Sequence, residues 1–183
     1  NRILGELDKK KLKSLDESFD AWKKIIENLT EDYAIQERFL RQYYNAFKYK
    51  DEIKVKIKGG NKATRSNLIS IFDKLIDKNP EFALEELSSK SNIYSSLINP
   101  SQKEENYEEL VDLSHVGAAP AYAFLLYLLS EHPEKKELTR ELIKFLVKYF
   151  IRRNLTDFPN TRDLDTIFIG LIDLCESNKK NMS

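Results

Sequence analysis

Apolar residues recur every three or four positions along almost the whole chain, which is the spacing of one buried face of an α-helix. Leu12, Leu15, Phe19, Trp22, Ile26 and Leu29 form the first such series, with Lys13, Asp16, Glu17, Lys23 and Lys24 on the other side. The series suits either a short coiled-coil seam or the first helix of a bundle, and the bulky Trp22 and Phe19 favour the bundle. A second helix is expected from about Glu31 to Phe47, with Ile35, Phe39, Leu40, Tyr43 and Phe47 inward and Arg38 and Arg41 flanking. Thr64 or Ser66 can cap a third helix reaching Lys78, whose face is Leu68, Ile71, Phe72, Leu75 and Ile76. Asn79-Pro80 stops it and starts a segment running to Ile98, which Ser88-Ser89 and Ser91 are expected to break in two.

The second half of the chain repeats this pattern after an expected joint at Asn99-Pro100-Ser101. Glu104, Glu105, Glu108, Glu109 and Asp112 form an acidic cluster suited to a helix N-terminus. Val116 to Leu129 is apolar all round, so a central helix is expected there, ended by Pro133. Leu138 to Cys175 reads as two helices joined by a polar turn. On the first of these, Leu138, Leu142, Phe145, Leu146, Tyr149 and Phe150 share a side, while Glu141, Lys144 and Lys148 lie opposite. Arg153 falls within the apolar stripe and Arg152 at its edge. A charge on a buried face needs a partner. Arg153 can therefore reach the last carbonyls or a carboxylate of the following helix, such as Asp163 or Asp165. Alternatively, the arginine pair faces a neighbouring domain or a phosphate.

The fold class these patterns predict is all-α, a multi-helix bundle of about seven to nine helices, with one short extended segment near residues 52–58. Residues 1–178 form one helical domain or two packed subdomains, 1–99 and 103–178, with a disordered polar tail at 179–183.

Composition narrows the function. Charged residues make up 33% of the chain and balance to zero, so no global charge excess points to a nucleic-acid or acidic partner. One segment departs from this balance. Lys48, Lys50, Lys54, Lys56, Lys58, Lys62 and Arg65 face only Asp51 and Glu52, with Ile53, Val55 and Ile57 alternating between the lysines and Gly59-Gly60 closing the run. Lys54, Lys56, Lys58, Lys62 and Arg65 are the candidates for contact with duplex DNA phosphate. The alternative is a solvated loop, since only Tyr49 is available to stack on a base.

Catalytic and metal chemistry find little material. His115 and His132 lack partners at ligand spacing, so no metal site is expected. Cys175 is the sole cysteine and lies on an apolar helical pattern, which fits a buried structural thiol in a reducing compartment. The run from Gly59 to Thr64 lacks the spacing of a phosphate loop. Glu85-Glu86 and Glu108-Glu109 are adjacent in sequence and diverge around a helix. No catalytic residue and no cofactor are expected in this chain. The longest apolar run is short for a membrane span, and no secretory signal is visible, so a cytoplasmic location without membrane contact is expected.

Three stretches resemble the helical region of bacterial GmrSD-type restriction enzymes. They are Trp22-Lys-Lys-Ile-Ile-Glu-Asn-Leu29, Glu37-Arg-Phe-Leu-Arg-Gln-Tyr-Tyr44, and Leu146-Val-Lys-Tyr-Phe-Ile-Arg-Arg-Asn154 with the following helix at Phe168. The resemblance runs over about residues 1–178. It implies a parent protein with a ParB/sulfiredoxin-like nucleotide-hydrolysing domain before this region and, in many members, an HNH nuclease domain after it. Such a parent would be an endonuclease and NTPase that restricts foreign, often modified, DNA. The family's Gln-Arg nucleotide motif and His-Asn-His nuclease motif are both missing here, so no catalytic residue carries over. The chain, which begins at Asn1, is then expected to be the helical middle of a longer enzyme, contacting its flanking domains. Arg152, Arg153 and Arg41 are the candidates for interdomain or phosphate contact. A helical protein–protein scaffold, associating through an apolar patch around Phe19 and Trp22, is the alternative.

Overall fold

The computed structural model of the chain describes residues 2–10, 15–57, 61–104 and 106–182. Leu12, Lys13, Lys58, Gly59-Gly60, Glu105 and Ser183, which entered the expectations above, lie outside the described residues. The structure is all-α. Among the described residues there are nine α-helices, one short 3-10 turn and no strand. The chain divides into two compact units, Asn1–Tyr94 and Ser95–Ser183.

The first unit holds α1 (Arg2–Lys10), α2 (Leu15–Leu29), α3 (Tyr33–Phe47), α4 (Leu68–Lys78) and most of α5 (Pro80–Ile98). The second half of α3 is its centre: Gln42, Tyr43, Tyr44, Asn45, Ala46 and Phe47 are consecutive and all buried. A helix buried on every side must satisfy its polar side chains internally. Gln42 accepts a 2.7 Å hydrogen bond from the Tyr94 hydroxyl, which ties α5 to α3. Phe39, Tyr43, Phe47, Phe72 and Tyr94 pack as tilted aromatic pairs with centroids 5.1–6.3 Å apart. At the periphery, Arg2 of α1 pairs with Asp73 and, at 2.8 Å, with Asp77 of α4.

Local signals account for most helix ends. Asp32 caps α3 by accepting from the Ala34 amide at 2.7 Å, so the helix starts at Tyr33 and not at Glu31. Asn79 ends α4, and its side chain accepts from the Phe82 amide to start α5 behind Pro80. Neither Thr64 nor Ser66 begins α4, which starts at Leu68 behind Asn67. Other expectations are corrected. α5 runs unbroken through Ser88-Ser89 and Ser91, because the Ser91 hydroxyl donates back to the Ser88 carbonyl and accepts from Asn28, bonds that a helix accommodates. α2 buries Ser18, Ile25 and Leu29, leaving Phe19 exposed and Trp22 and Ile26 half-buried. Ile25 and Ile26 are adjacent and 100° apart on the wheel, so the pattern alone did not fix which would face inward.

The second unit holds α6 (Tyr107–His115), a 3-10 turn (Ala119–Ala121), α7 (Tyr122–Glu131), α8 (Lys136–Thr156) and α9 (Thr161–Met182). α7 is the central helix, with every residue from Tyr122 to Tyr127 buried. The expected helix beginning at Val116 starts only at Tyr122. Gly117, at φ +73°, stops α6 first. Its amide bonds the Ser114 carbonyl at 3.1 Å and the Ala118 amide bonds the Leu113 carbonyl at 3.4 Å, the paired pattern of a Schellman motif. The Glu109 carboxylate accepts from Arg140 at 2.7 Å, which joins α6 to α8 and holds that carboxyl below its ordinary pKa. α9 continues to Met182, past the point where a disordered tail was expected.

Two glycines give opposite expectations. Gly117→Ala forces a Cβ into a left-handed conformation and should lower stability by about 1 kcal/mol. Gly170 sits inside α9, where an added Cβ would meet no atom within 4 Å. Gly170→Ala should therefore raise stability by about 0.5–1 kcal/mol. Urea unfolding followed by circular dichroism reads both.

Burial, reinforced by the Glu86 carboxylate, pushes the Tyr43 phenol above its ordinary value of 10.0. The folded protein then keeps this proton where the unfolded chain loses it. The stability from this group is complete below pH 10 and declines as pH rises beyond it. Unfolding free energy measured from pH 9 to pH 11 should fall, and Tyr43→Phe should flatten the decline.

Candidate functional site

The described parts of the connection between α3 and α4, residues 48–57 and 61–67, are held by several side-chain hydrogen bonds. Residues 51–53 turn and residues 54–57 run on without helix or strand, so the expected extended segment pairs with no sheet among the described residues. Its apolar side chains still alternate. Ile53 is fully buried and Val55 and Ile57 are half-buried, while Lys54 and Lys56 point outward and are exposed. That alternation places the two lysines on one outward side.

Polar anchors hold the segment at both ends. The Tyr44 hydroxyl donates to the Val55 carbonyl at 3.3 Å. Asn45 binds both backbone groups of buried Ala63, accepting from its amide at 2.7 Å and donating to its carbonyl at 3.2 Å. Asn67 accepts from the Thr64 amide and donates to the Lys62 carbonyl. Two lysines of α4 complete the arrangement: Lys74 donates to the Lys56 carbonyl at 2.7 Å and Lys78 to the Asp51 carbonyl at 2.5 Å. Exposed Lys74 and Lys78 therefore lie against the backbone of this segment, whose start also exposes Asp51 and Glu52. The helical spacing of α4 marked the two lysines only as solvent-facing, and their role depends on a contact between segments far apart in sequence.

The remaining sequence candidates divide. Arg65 is 80% exposed, yet its guanidinium lies 2.8 Å from Glu37. Arg41 lies 3.3 Å from the other oxygen of the same carboxylate. Glu37 thus links two residues expected to serve different partners and reduces their combined charge to one. Lys62 is half-buried.

In the second unit, Arg153 is committed to the α8–α9 turn. It donates to the Pro159 carbonyl at 3.0 Å and to Thr161 at 2.9 Å, and it pairs with Asp157 at 3.2 Å. The local structural role is observed, with Asp157 as the carboxylate in place of the expected Asp163 or Asp165. Arg152 remains exposed on α8.

Among the described residues no group of histidine, cysteine and carboxylate side chains is arranged to hold a metal ion. The Tyr127 hydroxyl donates to Glu176, whose carboxylate also pairs with Lys179 at 2.9 Å. Burial and this carboxylate push the Tyr127 phenol up, the opposite of what an activated tyrosine needs. Cys175 is half-buried, not fully enclosed. No described helix is long and apolar enough to cross a membrane.

A second surface is apolar. α8 and α9 leave Leu138, Phe145, Ile167, Leu171 and Leu174 37–66% exposed around a shallow groove of about 160 Å³. Phe145 and Leu138, expected on the buried stripe, lie on this outer side. The inward positions of α8 are Thr139, Ile143, Leu146 and Phe150. Compared with family models, with curated proteins and with solved structures, the chain has no match in any of the three.

Removing the Asn45 side chain would leave two buried backbone groups of Ala63 without partners. Asn45→Ala should cost about 2 kcal/mol or more and should speed hydrogen exchange at the Ala63 amide well beyond the change at amides within α3.

Proposed function

We propose that this chain is a non-catalytic helical module that engages the phosphate backbone of duplex DNA through the anchored basic segment of its first unit. The observation that carries the reading is the outward alignment of Lys54 and Lys56 over the buried Ile53, joined by Lys74 and Lys78 from α4. A segment fixed by Tyr44, Asn45 and Asn67 loses little conformational entropy on binding, so its lysines act as a preorganised positive surface. Among the described residues of the segment no aromatic side chain is exposed for stacking, so backbone contact without sequence readout is the chemistry it offers. Within a parent of the kind that the three short motifs resemble, such a module would lie between a nucleotide-hydrolysing domain and a nuclease domain. It would hold DNA for chemistry performed elsewhere.

A scaffold role is the second reading, and the exposed apolar face of α8 and α9 favours it over the region around Phe19 and Trp22.

Anisotropy titration of labelled duplex DNA at several salt concentrations tests the first reading. Binding should weaken with salt, with a log–log slope of about 0.9 for each phosphate contacted. Changing Lys54, Lys56 and Lys58 together to glutamine should weaken binding and reduce that slope by about one to three. Absence of binding at low salt, or an unchanged slope in the variant, would remove the basic segment from consideration.

A further inference from the structure

We propose that Lys90 of α5, together with Lys50, seats a phosphate group beside the Phe47 ring. The source of that phosphate rests on the DNA-binding reading of the first unit: it is a backbone phosphate of the bound duplex.

Lys90 is the only buried charged side chain among the described residues, with 8% of its surface exposed. A charge taken from water needs a counter-charge or hydrogen-bond acceptors. Among the described residues Lys90 has neither, and its ammonium lies 5.2 Å from the centre of the Phe47 ring. The face of a phenyl ring returns less than an ammonium gives up on leaving water. Glu86 precedes Lys90 by four residues on α5, the spacing of a helical ion pair, and the pair does not form. One Glu86 oxygen is buried without a hydrogen-bond partner, and the carboxylate acts on the Tyr43 phenol instead. The Lys90 stem is covered, while its ammonium is not closed off from water. An anion can therefore reach it from outside without a change of fold.

Lys50 suits the position to an anion and not to a neutral group. Its ammonium lies 5.1 Å from the same ring centre, so the two positive charges stand no more than about 10 Å apart. Like charges this close repel, and an anion between them removes that cost. A phosphate carries full charge and several acceptor oxygens, and lysine stems are flexible enough to close on it.

Lys50 also joins this position to the basic segment. Its carbonyl accepts from the Ile53 and Lys54 amides at 3.0 and 2.8 Å, and Lys78 donates to the neighbouring Asp51 carbonyl. Lys48, Lys50, Lys54, Lys78 and Lys90 thus gather around the end of α3, where the helix dipole favours cations. Opposing them are exposed Asp51 and Glu52 on the same turn, and Glu86. Asp73 and Asp77 of α4 are held by Arg2, and Glu27 of α2 pairs with Lys23 at 3.8 Å. Glu81 and Glu85, nearer the start of α5, have contacts of their own. The balance around the turn stays positive.

Anisotropy titration with duplex DNA and NMR of lysine side chains labelled with carbon-13 test the seat, with circular dichroism confirming that each variant is folded. Lys90→Met keeps the apolar stem against Phe47 and removes the charge, and its spectrum assigns the Lys90 signal. Duplex DNA should shift that signal in the wild-type chain. Lys90→Met should weaken binding about threefold or more at low salt and lower the log–log salt slope by about one, and Lys90→Arg should restore both. Millimolar inorganic phosphate separates the sources. A Lys90 signal that moves with phosphate, in a wild-type chain that binds no duplex, would keep the seat and remove DNA as its partner. Duplex binding that leaves the Lys90 signal unmoved and is indifferent to Lys90→Met would overturn the seat and leave the DNA reading standing. A signal unmoved by duplex and by phosphate, in a chain that binds no duplex, would overturn both.

Discussion

Burying a backbone amide and carbonyl without partners costs more than most side-chain contacts return, and Asn45 meets that constraint for Ala63. The consequence spreads through the first unit. Ala63 is pinned to the all-buried half of α3. Ile53 plugs the same core from the other side, and Tyr44 holds the Val55 carbonyl. Lys54 and Lys56 face water because Ile53, Val55 and Ile57 alternate with them on the inward side. The outward placement of Lys54 and Lys56 is thus a by-product of core packing, held by neutral hydrogen bonds from Tyr44, Asn45 and Asn67 and by the ammonium groups of Lys74 and Lys78.

The second unit solves its burial differently. α7 is surrounded by its neighbours, and the Schellman turn at Gly117 brings the chain into it at the required angle. The α8–α9 hairpin presents more apolar surface than α7 and α6 can cover. Phe150 and Phe168 stack at 6.1 Å on the inner side, while Phe145 and Leu171 remain outside. Charged groups at the turn are used locally: Arg153 joins the end of α8 to the start of α9 through a carbonyl, a hydroxyl and Asp157.

Electrostatics therefore works on two scales in this chain. Its global balance is zero, yet carboxylates and cations are sorted locally. Glu37 divides its oxygens between Arg41 and Arg65, and Glu109 meets Arg140. Arg41, Glu37 and Glu109 are partly buried, and pairs that stay in contact with water add little stability. Their effect is to decide which cations stay available: Lys54, Lys56 and Arg152 face solvent, whereas Arg153 and Arg65 are engaged.

By itself the sequence determined the all-α class, the inward face of α4, the stop at Asn79-Pro80, and the clustering of lysines between residues 48 and 65, but not the burial of Gln42, Tyr44 and Asn45 on the other sides of α3. What it determined follows from local rules, because helix periodicity, proline geometry and charge density act over a few residues. Only the tertiary structure decided the rotation of α2, the continuity of α5 through its serines, the partner of Arg153 and the outward position of Phe145. Gly117 was visible as a stop signal, but the apolar run around it masked the signal. Lys74 and Lys78 joined the basic surface through contacts spanning 18 and 27 positions. A wheel projects one helix onto its own axis. It carries no information about which neighbour arrives on each side, and that neighbour decides whether an apolar or charged side chain is buried, paired or left facing water.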